Sequence, residues 1–402
     1  MGAGTVRDLL SPLSRDVTKV TVADNSHDRL NSLAESVEDA RLVTTDLDVS
    51  NRQATIDLIG SADICINAVP TFAGLQMEIF ECCLAARRPY VDYGGMGVYT
   101  VKQKQQHNQW SQAGLTAVLG LGADPGMSNV ICKAVADRLD TIDAINLYWA
   151  AKLLGDENPV LVPPYSIPTV LAEYANRNQQ FLDGRLQEVD PLSAPEILDL
   201  PPPFGPTEFA FTQHSEPLTI PFAAGIAEKG IREMTWKLSL PKAEHDAWVG
   251  LIKAGFGEYD APLEFNGTKV TPRAFLEKLI SRNIERKKDR IPQQQAYEIH
   301  VAIGRGTVAG NAAEVRCTVF CDPDPLYADY LDAATSMNVS IGAQLIMRNE
   351  MKNGVWGPEE YFDLEQYFAE LHKRKFRTEF STTITRGDGP RPGIPVHLGG
   401  RT

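Results

Sequence analysis

The chain lacks the features that would mark a membrane, secreted or nucleic-acid-binding protein. No stretch reaches the roughly 18 apolar residues that a membrane-spanning helix needs. The first residues, MGAGT, contain no basic segment followed by an apolar core. Acidic side chains outnumber basic ones by 52 to 39, giving a formal net charge of −13. Since such a chain repels phosphate backbones, the sequence predicts neither a membrane nor a nucleic-acid partner.

Cysteine is scarce, and none of it forms a CxxC pair. The six residues are Cys65, Cys82, Cys83, Cys132, Cys317 and Cys321. Most of them lie in apolar segments, where free buried thiols are the expected state in a reducing compartment. The pattern therefore predicts a cytoplasmic protein without disulfides and without a metal site.

Short apolar runs alternate with helical patterns between residues 17 and 120. Residues 17–23 and 63–68 have the composition of strands, and residues 75–86 have helical spacing. Strands that alternate with helices in this way form a parallel sheet with helices on both faces. The predicted fold class is α/β, with a doubly wound parallel sheet of the Rossmann type over residues 1–125.

A different pattern begins after residue 125 and predicts a second, mixed α+β domain over residues 126–333. Asp183-Gly184 and Asn266-Gly267 are typical of hairpin turns. Residues 334–377 are predicted to be C-terminal helices that return to the first domain. Residues 378–402 are rich in glycine, proline, arginine and threonine, which predicts a poorly ordered tail.

Gly2, Gly4 and Thr5 resemble the start of a glycine-rich dinucleotide loop, in which glycine lets the backbone approach a pyrophosphate. Asp24 follows about 20 residues later at the end of a predicted strand, where a carboxylate can bind the ribose 2′-hydroxyl. That carboxylate favours NAD over NADP, although Arg29 keeps NADP possible. The alternative interpretations are a flexible terminus for the glycines and a helix cap for Asp24.

The strand that normally precedes such glycines is missing from the sequence, and Arg7 stands where a third glycine is usual. The missing strand would be central in the sheet, so its absence leaves backbone groups without partners. Three explanations remain open at this point: a truncated chain, another segment in the gap, or impaired cofactor binding.

Three loops follow predicted strands and should meet at the carboxyl edge of the sheet, where such folds bind ligands. They are Asn67-Ala68-Val69-Pro70, Asp92-Tyr93-Gly94-Gly95 and residues 120–126, which end in Asp124-Pro125-Gly126. The carboxylate of Asp124 could bind a substrate ammonium group. Each loop also has a structural interpretation, as a plain turn, a packed aromatic residue or a helix cap.

Several segments together resemble the saccharopine dehydrogenase-like proteins, and among these the lysine 6-dehydrogenases most. The segments are YVDYGGMG at 90–97, GLGADPGMSN at 120–129, Gly205-Pro206 with Phe211-Thr212, and SIGAQL at 340–345 with residues 354–358. The resemblance extends to about residue 375. It implies a Rossmann domain, an inserted domain that carries substrate contacts and a homodimer surface, and a C-terminal helical return.

The resemblance also implies hydride transfer between a nicotinamide and the amine-bearing carbon of an amino-acid or opine-like substrate. The predicted cofactor contacts are Gly2, Gly4, Thr5, Asp24, Asn67, Ala68, Val69, Pro70, Asp92, Gly94, Asp124 and Pro125. The predicted substrate contacts are Tyr93, Gly95, Gly126, Thr212, His214 and Arg232. His214 and Glu216 stand where relatives have small residues, which puts lysine itself in doubt as the substrate.

Removal of a hydride from an amine carbon requires a neutral nitrogen, and a histidine is a suitable general base for that step. His214 is the predicted base, with Asp124 and Tyr93 as further catalytic candidates; a surface or hydrogen-bonded loop histidine is the alternative interpretation. Arg232 and Lys229 could bind a substrate carboxylate or simply be solvated. Two other functions remain open: a non-catalytic relative with an eroded glycine loop, and a carbonyl or enoyl reductase on the same fold.

Overall fold

The computed structural model describes residues 1–153, 161–163, 165–287, 296–327 and 332–385. The α-helices are α1 Gly2–Leu9, α2 His27–Val37, α3 Arg52–Gly60, α4 Gln76–Ala86, α5 Val98–Lys104, α6 His107–Gln112, α7 Met127–Ala136, α8 Ile167–Ala175, α9 Glu216–Thr219, α10 Lys242–Leu251, α11 Pro272–Lys287, α12 Ala333–Arg348, α13 Pro358–Tyr361 and α14 Leu364–Lys373. Among the described residues, none of these helices is long and apolar enough to cross a bilayer.

The strands are β1 Val20–Asp24, β2 Leu42–Asp46, β3 Cys65–Asn67, β4 Tyr90–Asp92, β5 Thr116–Val118, β6 Thr141–Leu153, β7 Asn178–Leu182, β8 Arg185–Val189, β9 Glu196–Leu200, β10 Gly205–Phe211, β11 Glu233–Ser239, β12 Leu263–Phe265, β13 Thr268–Val270, β14 Ala296–Val308, β15 Asn311–Cys321, β16 Gly354–Trp356 and β17 Arg377–Thr385. Both predicted hairpin turns are confirmed, since Asp183-Gly184 joins β7 to β8 and Asn266-Gly267 joins β12 to β13.

The chain forms two compact units. The first comprises Met1–Val130, His214–Thr219 and Cys321–Arg377, and the second comprises Ile131–Gln213, Ile220–Phe320 and the residues from Thr378 onward. The segment His214–Thr219 thus belongs to the first unit, whereas the sequence analysis assigned it to the second domain. Its position matters for function because it carries the predicted base.

Parallel strands form the sheets of the first unit, as predicted. Four strands lie in the order β16-β5-β4-β3, and β1 pairs with β2 in a separate two-stranded sheet. No strand among the described residues pairs with the free edge of β1 or of β3. The predicted gap in the sheet is therefore present, and no other described segment fills it.

Apolar side chains cover both faces of the four-stranded sheet. On one face Phe80, Trp110 and Cys83 pack with Tyr90 and Leu119. The opposite face is covered by α12, whose Val339, Ala343 and Ile346 pack with Val91, Val118 and Leu121 of the sheet and of the residues after it. This three-layer arrangement is the doubly wound fold that the alternating pattern predicted.

Helix α1 bridges the two parallel sheets of the first unit. Its Val6, Leu9 and Leu10 pack with Val20 of β1 and with Ile66 of β3. The helix begins at Gly2, with Met1 as its N-cap and the amide of Thr5 donating to the Met1 carbonyl. The sequence analysis expected the glycines to form a loop before the helix; that expectation was wrong, because they form its first turn.

One mixed sheet organises the second unit, as predicted. Its strands lie in the order β17-β15-β14-β6-β11-β10-β9, and β7 and β8 extend it from β11. The long antiparallel pairing of β6 with β14 and the parallel pairing of β6 with β11 form its centre. Strand β17 occupies residues 377–385, most of which the sequence analysis placed in a poorly ordered tail; residues 386–402 lie outside the described residues.

A half-buried carboxyl group lies at the start of α10 in the second unit. Burial raises the pKa of Glu244 from 4.5 to about 7, and only the Trp248 indole, which donates to it at 3.3 Å, opposes the shift. A raised folded-state pKa means that the folded chain binds more protons than the unfolded chain between about pH 4.5 and 7. Stability contributed by this group is therefore present at low pH and is lost as the pH rises through 7.

We expect Glu244→Gln to flatten this pH dependence. Between pH 5 and pH 8 the free energy of unfolding of the wild type should fall by about 2 kcal/mol more than that of the variant, after allowance for the helix N-terminus, which favours the ionised form. Urea unfolding at several pH values measures the difference. Asp246→Asn on the same helix is the control, because Asp246 is exposed and paired with Lys242. Parallel pH profiles for wild type and Glu244→Gln would contradict the prediction.

Candidate functional site

Asp92 at the end of β4 is fully buried and holds two loops of the predicted site together. Its Oδ1 accepts from the amides of Gly94 at 3.0 Å and Gly120 at 2.7 Å. Its Oδ2 accepts from the side chains of Gln76 at 2.7 Å, Tyr90 at 2.8 Å and Gln103 at 3.1 Å. A carboxylate offers about four acceptor positions, and these five donors use them all. Direct contact of Asp92 with a cofactor was predicted, but its carboxylate is occupied and acts on the site by positioning backbone.

Glycines of these two loops enclose Pro125. Gly94 has a φ of 104° and Gly120 a φ of 67°. A Cβ at Gly94 would lie 2.7 Å from the Pro125 ring, and one at Gly120 would lie 2.8 Å from it. The sequence analysis expected glycine here for close approach to a ligand. In the structure the close approach is to Pro125, which fixes the Asp124-Pro125-Gly126 turn against both loops.

The loop after β3 lies against the first turn of α1. The Asn67 side chain is buried, donates to the Tyr90 hydroxyl at 3.0 Å and accepts from the Val69 amide at 3.1 Å. A Cβ at Gly2 would lie 3.3 Å from that of Ala68, so this loop touches the start of the helix. Ala68 and Pro70 are exposed. The structure thus brings the predicted residues Gly2 and Ala68 together, with Asn67 serving as their internal support.

Tyr93 and the buried Thr5 form a hydrogen-bonded pair next to this loop. Their hydroxyl oxygens are 2.5 Å apart, and the Thr5 hydroxyl donates to the Ser336 carbonyl at 2.8 Å. Because Thr5 has a single hydroxyl proton, the Tyr93 hydroxyl is the donor in the pair. Burial raises the pKa of Tyr93 well above its usual value, so it stays a neutral phenol at physiological pH. A role for Tyr93 as a base is therefore not supported, whereas donation of a hydrogen bond is.

Asp124 is half-buried and lies near a second acid that the sequence analysis did not identify. Asp332 caps α12 by accepting from the Thr335 amide at 2.9 Å. Burial raises the pKa of Asp332, and the neighbouring Asp124 carboxyl adds to the shift. The two acids could bind a cationic group at this edge of the first unit.

The parts that would hold a dinucleotide have suitable chemistry. Helix α1 carries no acidic side chain in its first turn, so its amide groups present a favourable end to a phosphate. Asp24 stands at the end of β1, its side chain about one-third exposed, with Oδ1 accepting from the Ser26 amide at 2.8 Å and Arg29 4.0 Å from Oδ2. An exposed carboxylate here can bind a ribose hydroxyl. The residues present thus fit a nicotinamide dinucleotide.

His214 forms a buried pair with Glu216. The Nδ1 atom of His214 is 2.5 Å from Oε2 of Glu216, and the Ser128 hydroxyl donates to Oε1 of Glu216 at 2.8 Å. The side chains of His214 and Glu216 are 7 % and 0 % exposed. A carboxylate bonded to one ring nitrogen fixes the tautomer of the imidazole and stabilises its protonated form. This pair can therefore accept and hold one proton.

The segment that carries His214 packs against the glycine-rich loop after β4. A Cβ at Gly97 would lie 2.3 Å from Leu218 and 3.8 Å from the Ser215 Cα. Neither Ser128 nor Glu216 was predicted as a site residue. The pattern Ser128-Asn129 at the start of α7 was a usable signal, since polar residues after a glycine turn often face a ligand edge.

The remaining predicted residues belong to the second unit, where their contacts are structural. Thr212 is buried, and its hydroxyl accepts from the Trp236 indole at 3.0 Å. Arg232 is exposed, and its backbone pairs with Asp143 and Gly184. Lys229 donates to the carbonyls of Ala136 and Leu139, each at 2.7 Å. These two carbonyls use two of the three N–H donors of the Lys229 ammonium group, and its role in substrate binding stays a prediction.

Comparison with known proteins finds matching family models and similar proteins. Residues 1–118 match the saccharopine dehydrogenase NADP binding domain, and residues 122–376 match the saccharopine dehydrogenase C-terminal domain. A carboxyaminopropylagmatine dehydrogenase from Synechocystis is 21 % identical over 395 residues, which cover 92 % of this chain and 94 % of that protein. A carboxynorspermidine synthase from Vibrio alginolyticus is 31 % identical over 151 residues, which cover 33 % of this chain and 35 % of that protein.

Among solved structures, the apo form of an L-Glu-forming saccharopine dehydrogenase from Saccharomyces cerevisiae superimposes on this chain with a TM-score of 0.72. The two chains are 15 % identical, and the match covers 95 % of this chain and 97 % of the yeast chain. At this level of identity the likeness concerns the fold alone. It supports the predicted combination of a parallel α/β sheet with a second, mixed-sheet domain.

Proposed function

Because the chain belongs to the saccharopine dehydrogenase family of NAD(P)-binding oxidoreductases, we propose that it transfers a hydride at a nitrogen-bearing carbon of a small substrate. The nicotinamide, when bound, supplies the hydride acceptor or donor. The chain's own contribution is to bind the two reactants beside each other and to take or return the proton of the substrate nitrogen.

The observation that carries this proposal is the buried pair of His214 and Glu216. In the oxidative direction His214 accepts one proton from the substrate nitrogen, and the Glu216 carboxylate stabilises the imidazolium that results. In the reductive direction the same group returns the proton. The hydrogen bond from Ser128 to Glu216 at 2.8 Å keeps the carboxylate oriented toward the ring.

The proposed substrate is a carboxylated secondary amine of the opine or polyamine type rather than free lysine. Two relatives are named for carboxylated polyamines, carboxyaminopropylagmatine and carboxynorspermidine. The acids Asp124 and Asp332 suit a substrate that carries extra cationic nitrogen. Lysine as the substrate, a homodimer and a cytoplasmic location remain predictions.

A substrate screen tests the proposal. Purified protein is mixed with NAD or NADP and with lysine, saccharopine or carboxynorspermidine. Simple ketones, and amine and carbonyl pairs that form an imine, are tested with NADH or NADPH, and the absorbance of reduced nicotinamide is followed in both directions. We expect turnover with a carboxylated secondary amine, and with its imine precursors in the reverse direction. Turnover with ketones alone would support a carbonyl reductase instead and would contradict the proposal.

Asp24 provides a test of cofactor choice. We expect Asp24→Ala to raise the Kd for NADH about 10-fold, since a hydrogen bond to a charged acceptor contributes roughly 1.5 kcal/mol or more. The Kd for NADPH should stay unchanged or fall, because a repulsive charge is removed. Titration calorimetry with both cofactors measures the two changes.

Asp46→Asn is the matched control for this prediction, because Asp46 lies beside Asp24 in the register of β1 and β2 and also ends its strand. An equal loss for NADH and NADPH in Asp24→Ala would remove the ribose assignment. Equal effects of the two substitutions would show that only the general negative charge of this edge matters.

A second candidate function, ligand binding without catalysis, is favoured by one observation. The edges of β1 and β3 have no partner strand among the described residues, and this gap lies beside the predicted cofactor loop. A thermal shift assay separates the two candidates: a ligand at 100 times its Kd stabilises the folded state by about 2.7 kcal/mol. Stabilisation by NADH or NADPH supports the oxidoreductase, and its complete absence supports the non-catalytic candidate.

A further inference from the structure

A small internal cavity of the first unit adjoins the His214–Glu216 pair. Its lining residues are Thr100, Lys104, Leu119, Gly120, Pro125, Asn129, Ser215, Thr219, Gly357 and Pro358. Its volume of about 10 Å³ approaches the room that one water molecule requires. Its lining is mostly apolar and includes a few polar atoms, to which a single water molecule could bind.

Glu359 lies directly behind one wall of this cavity. The residue is 2 % exposed, its Oε2 accepts from the Asn129 amide at 2.8 Å, and its Oε1 has no partner. A Cβ built at Gly357 would lie 2.4 and 2.5 Å from the two carboxyl oxygens, so the carboxyl group lies flat against that glycine. Asn129 and Gly357, which both contact the Glu359 carboxyl group, line the cavity, whereas Glu359 itself lies behind them.

A second buried oxygen without a partner belongs to a residue that lines the cavity. Thr100 is 5 % exposed, and its hydroxyl has no hydrogen-bond partner among the described residues. A buried hydroxyl and a buried carboxyl that both lack partners are costly, and a bridging water would satisfy both. Two independent residues on α5 and α13 therefore indicate the same occupant.

The cavity connects the proposed base with the protein surface. On one side the Ser215 hydroxyl lines it and donates to Oε2 of Glu216 at 3.5 Å. On the other side Glu360 follows Glu359 and pairs with Lys104 at 2.6 Å, and these two side chains are 13 % and 29 % exposed. Ser215 and Lys104 thus both line the cavity, the first bonded to Glu216 and the second to Glu360.

We propose that Glu359 is a proton-relay residue, which, through one water molecule in this cavity, exchanges the proton of the His214–Glu216 pair with Glu360 and solvent. The proposal rests on the proposed function. In the oxidative direction the proton that His214 takes from the substrate nitrogen passes by way of Glu216 and Ser215 to the water. The water gives a proton to Glu359 as Glu359 releases its own toward Glu360, so one proton leaves and no electrons move.

The protonation of Glu359 agrees with this role. Burial raises the pKa of Glu359; the nearby Lys104 ammonium opposes the shift and the Glu360 carboxylate adds to it. Asn129 donates to the carboxyl group and carries no charge of its own. Burial thus favours the protonated form of Glu359, and the hydrogen bond from Asn129 favours release of the proton, as a relay requires.

Infrared difference spectroscopy of the full chain tests the relay without any substrate. Spectra of wild type at neutral pH should contain a protonated-carboxyl band that Glu359→Gln removes and Thr100→Val shifts, because loss of the Thr100 hydroxyl disturbs the water. Glu365→Gln, at an exposed position of α14, is the control and should retain the band. Absence of the protonated-carboxyl band from the wild-type spectrum would overturn the proposal.

Kinetics with the substrate found in the screen provide a second test. Glu359→Gln should lower kcat about 10-fold with little change in KM, less than the roughly 10²–10⁴-fold effect of a group that meets the substrate. Its solvent deuterium isotope effect should increase, and higher buffer concentrations should restore part of the rate. A merely structural role would not produce this rescue.

The outcomes separate the relay from the proposed function. An active wild type with an equally active and isotope-insensitive Glu359→Gln variant would overturn the relay alone. A wild type that is inactive with every amine and ketone would overturn the proposed function and the relay with it. Ser215→Ala, which removes the hydroxyl on the other side of the cavity, should reproduce the isotope effect of Glu359→Gln if the relay is correct.

Discussion

Replacing His214 by asparagine is expected to lower kcat by about 10²–10⁴-fold, the usual contribution of a general acid or base. Asparagine keeps a polar group beside Glu216 but cannot take up a proton at physiological pH. The Kd for the nicotinamide cofactor should stay within about twofold of wild type, because the nicotinamide-binding residues proposed above lie on other segments. Steady-state rates with the substrate from the screen, together with cofactor titration, measure both quantities.

Two further variants test whether the effect of His214→Asn comes from loss of the general base. Glu216→Gln keeps the size of the side chain and removes its charge, so the rate should fall less. In the oxidative direction, in which His214 must be neutral, the acidic limb of the pH profile should move to lower pH. His245→Asn is the control, since His245 is also hydrogen-bonded, to the Tyr174 hydroxyl, but belongs to the second unit. A His214→Asn variant that keeps half of the wild-type kcat would remove His214 from the mechanism.

Arg374→Met should destabilise the folded chain by about 3–5 kcal/mol, the cost of leaving a buried charge without its partner. The Arg374 side chain is fully buried and donates to Asp8 of α1 through Nε and Nη2, at 2.8–3.0 Å, and to Glu370 of α14 through Nη1 at 2.8 Å. Methionine has a similar length and no charge, so the Asp8 carboxylate would remain buried alone. Chemical denaturation measures the loss as a lower midpoint.

Arg348→Met is the matched control for Arg374→Met. Arg348 also pairs with Glu370, and with Asp16, but its side chain is 30 % exposed, so its removal should cost less than about 1 kcal/mol. The double variant Arg374→Met with Asp8→Leu should recover much of the stability, because the unpaired charge is then gone. Equal losses for Arg374→Met and Arg348→Met would show that burial does not set the cost of this ion pair.

Elements whose signals are local were predictable from the sequence. The alternation between residues 17 and 120 indicated a parallel sheet because strand and helix periods differ within a few residues. Asp183-Gly184 and Asn266-Gly267 indicated hairpins because such turns require residues that tolerate a positive φ, and both turn residues before the glycines have one. The family resemblance supplied the order of the domains.

Long-range partners were not predictable, and they decide what the site residues do. Asp92 was placed in the nicotinamide pocket by position, but Gln76 and Gln103, on helices before and after it, saturate its carboxylate. Glu359 lies 230 residues from Asn129 along the chain, so no local pattern connects them. The exposed strand β17 was missed because its threonine-rich sequence, without an apolar face, has the composition of a terminal tail.

The two-part sheet of the first unit has a consequence for how a dinucleotide would be held. Asp24 and Asn67 end strands that share no hydrogen bonds. The two-stranded sheet of β1 and β2 is therefore attached to the four-stranded sheet through the packing of α1. A two-stranded sheet attached in this way opens at a lower free energy than strands that are hydrogen-bonded within one continuous sheet. Cofactor binding and the local opening of this two-stranded sheet are therefore linked in one thermodynamic cycle. Bound cofactor favours the closed state, and a more stable closed state raises the affinity for the cofactor.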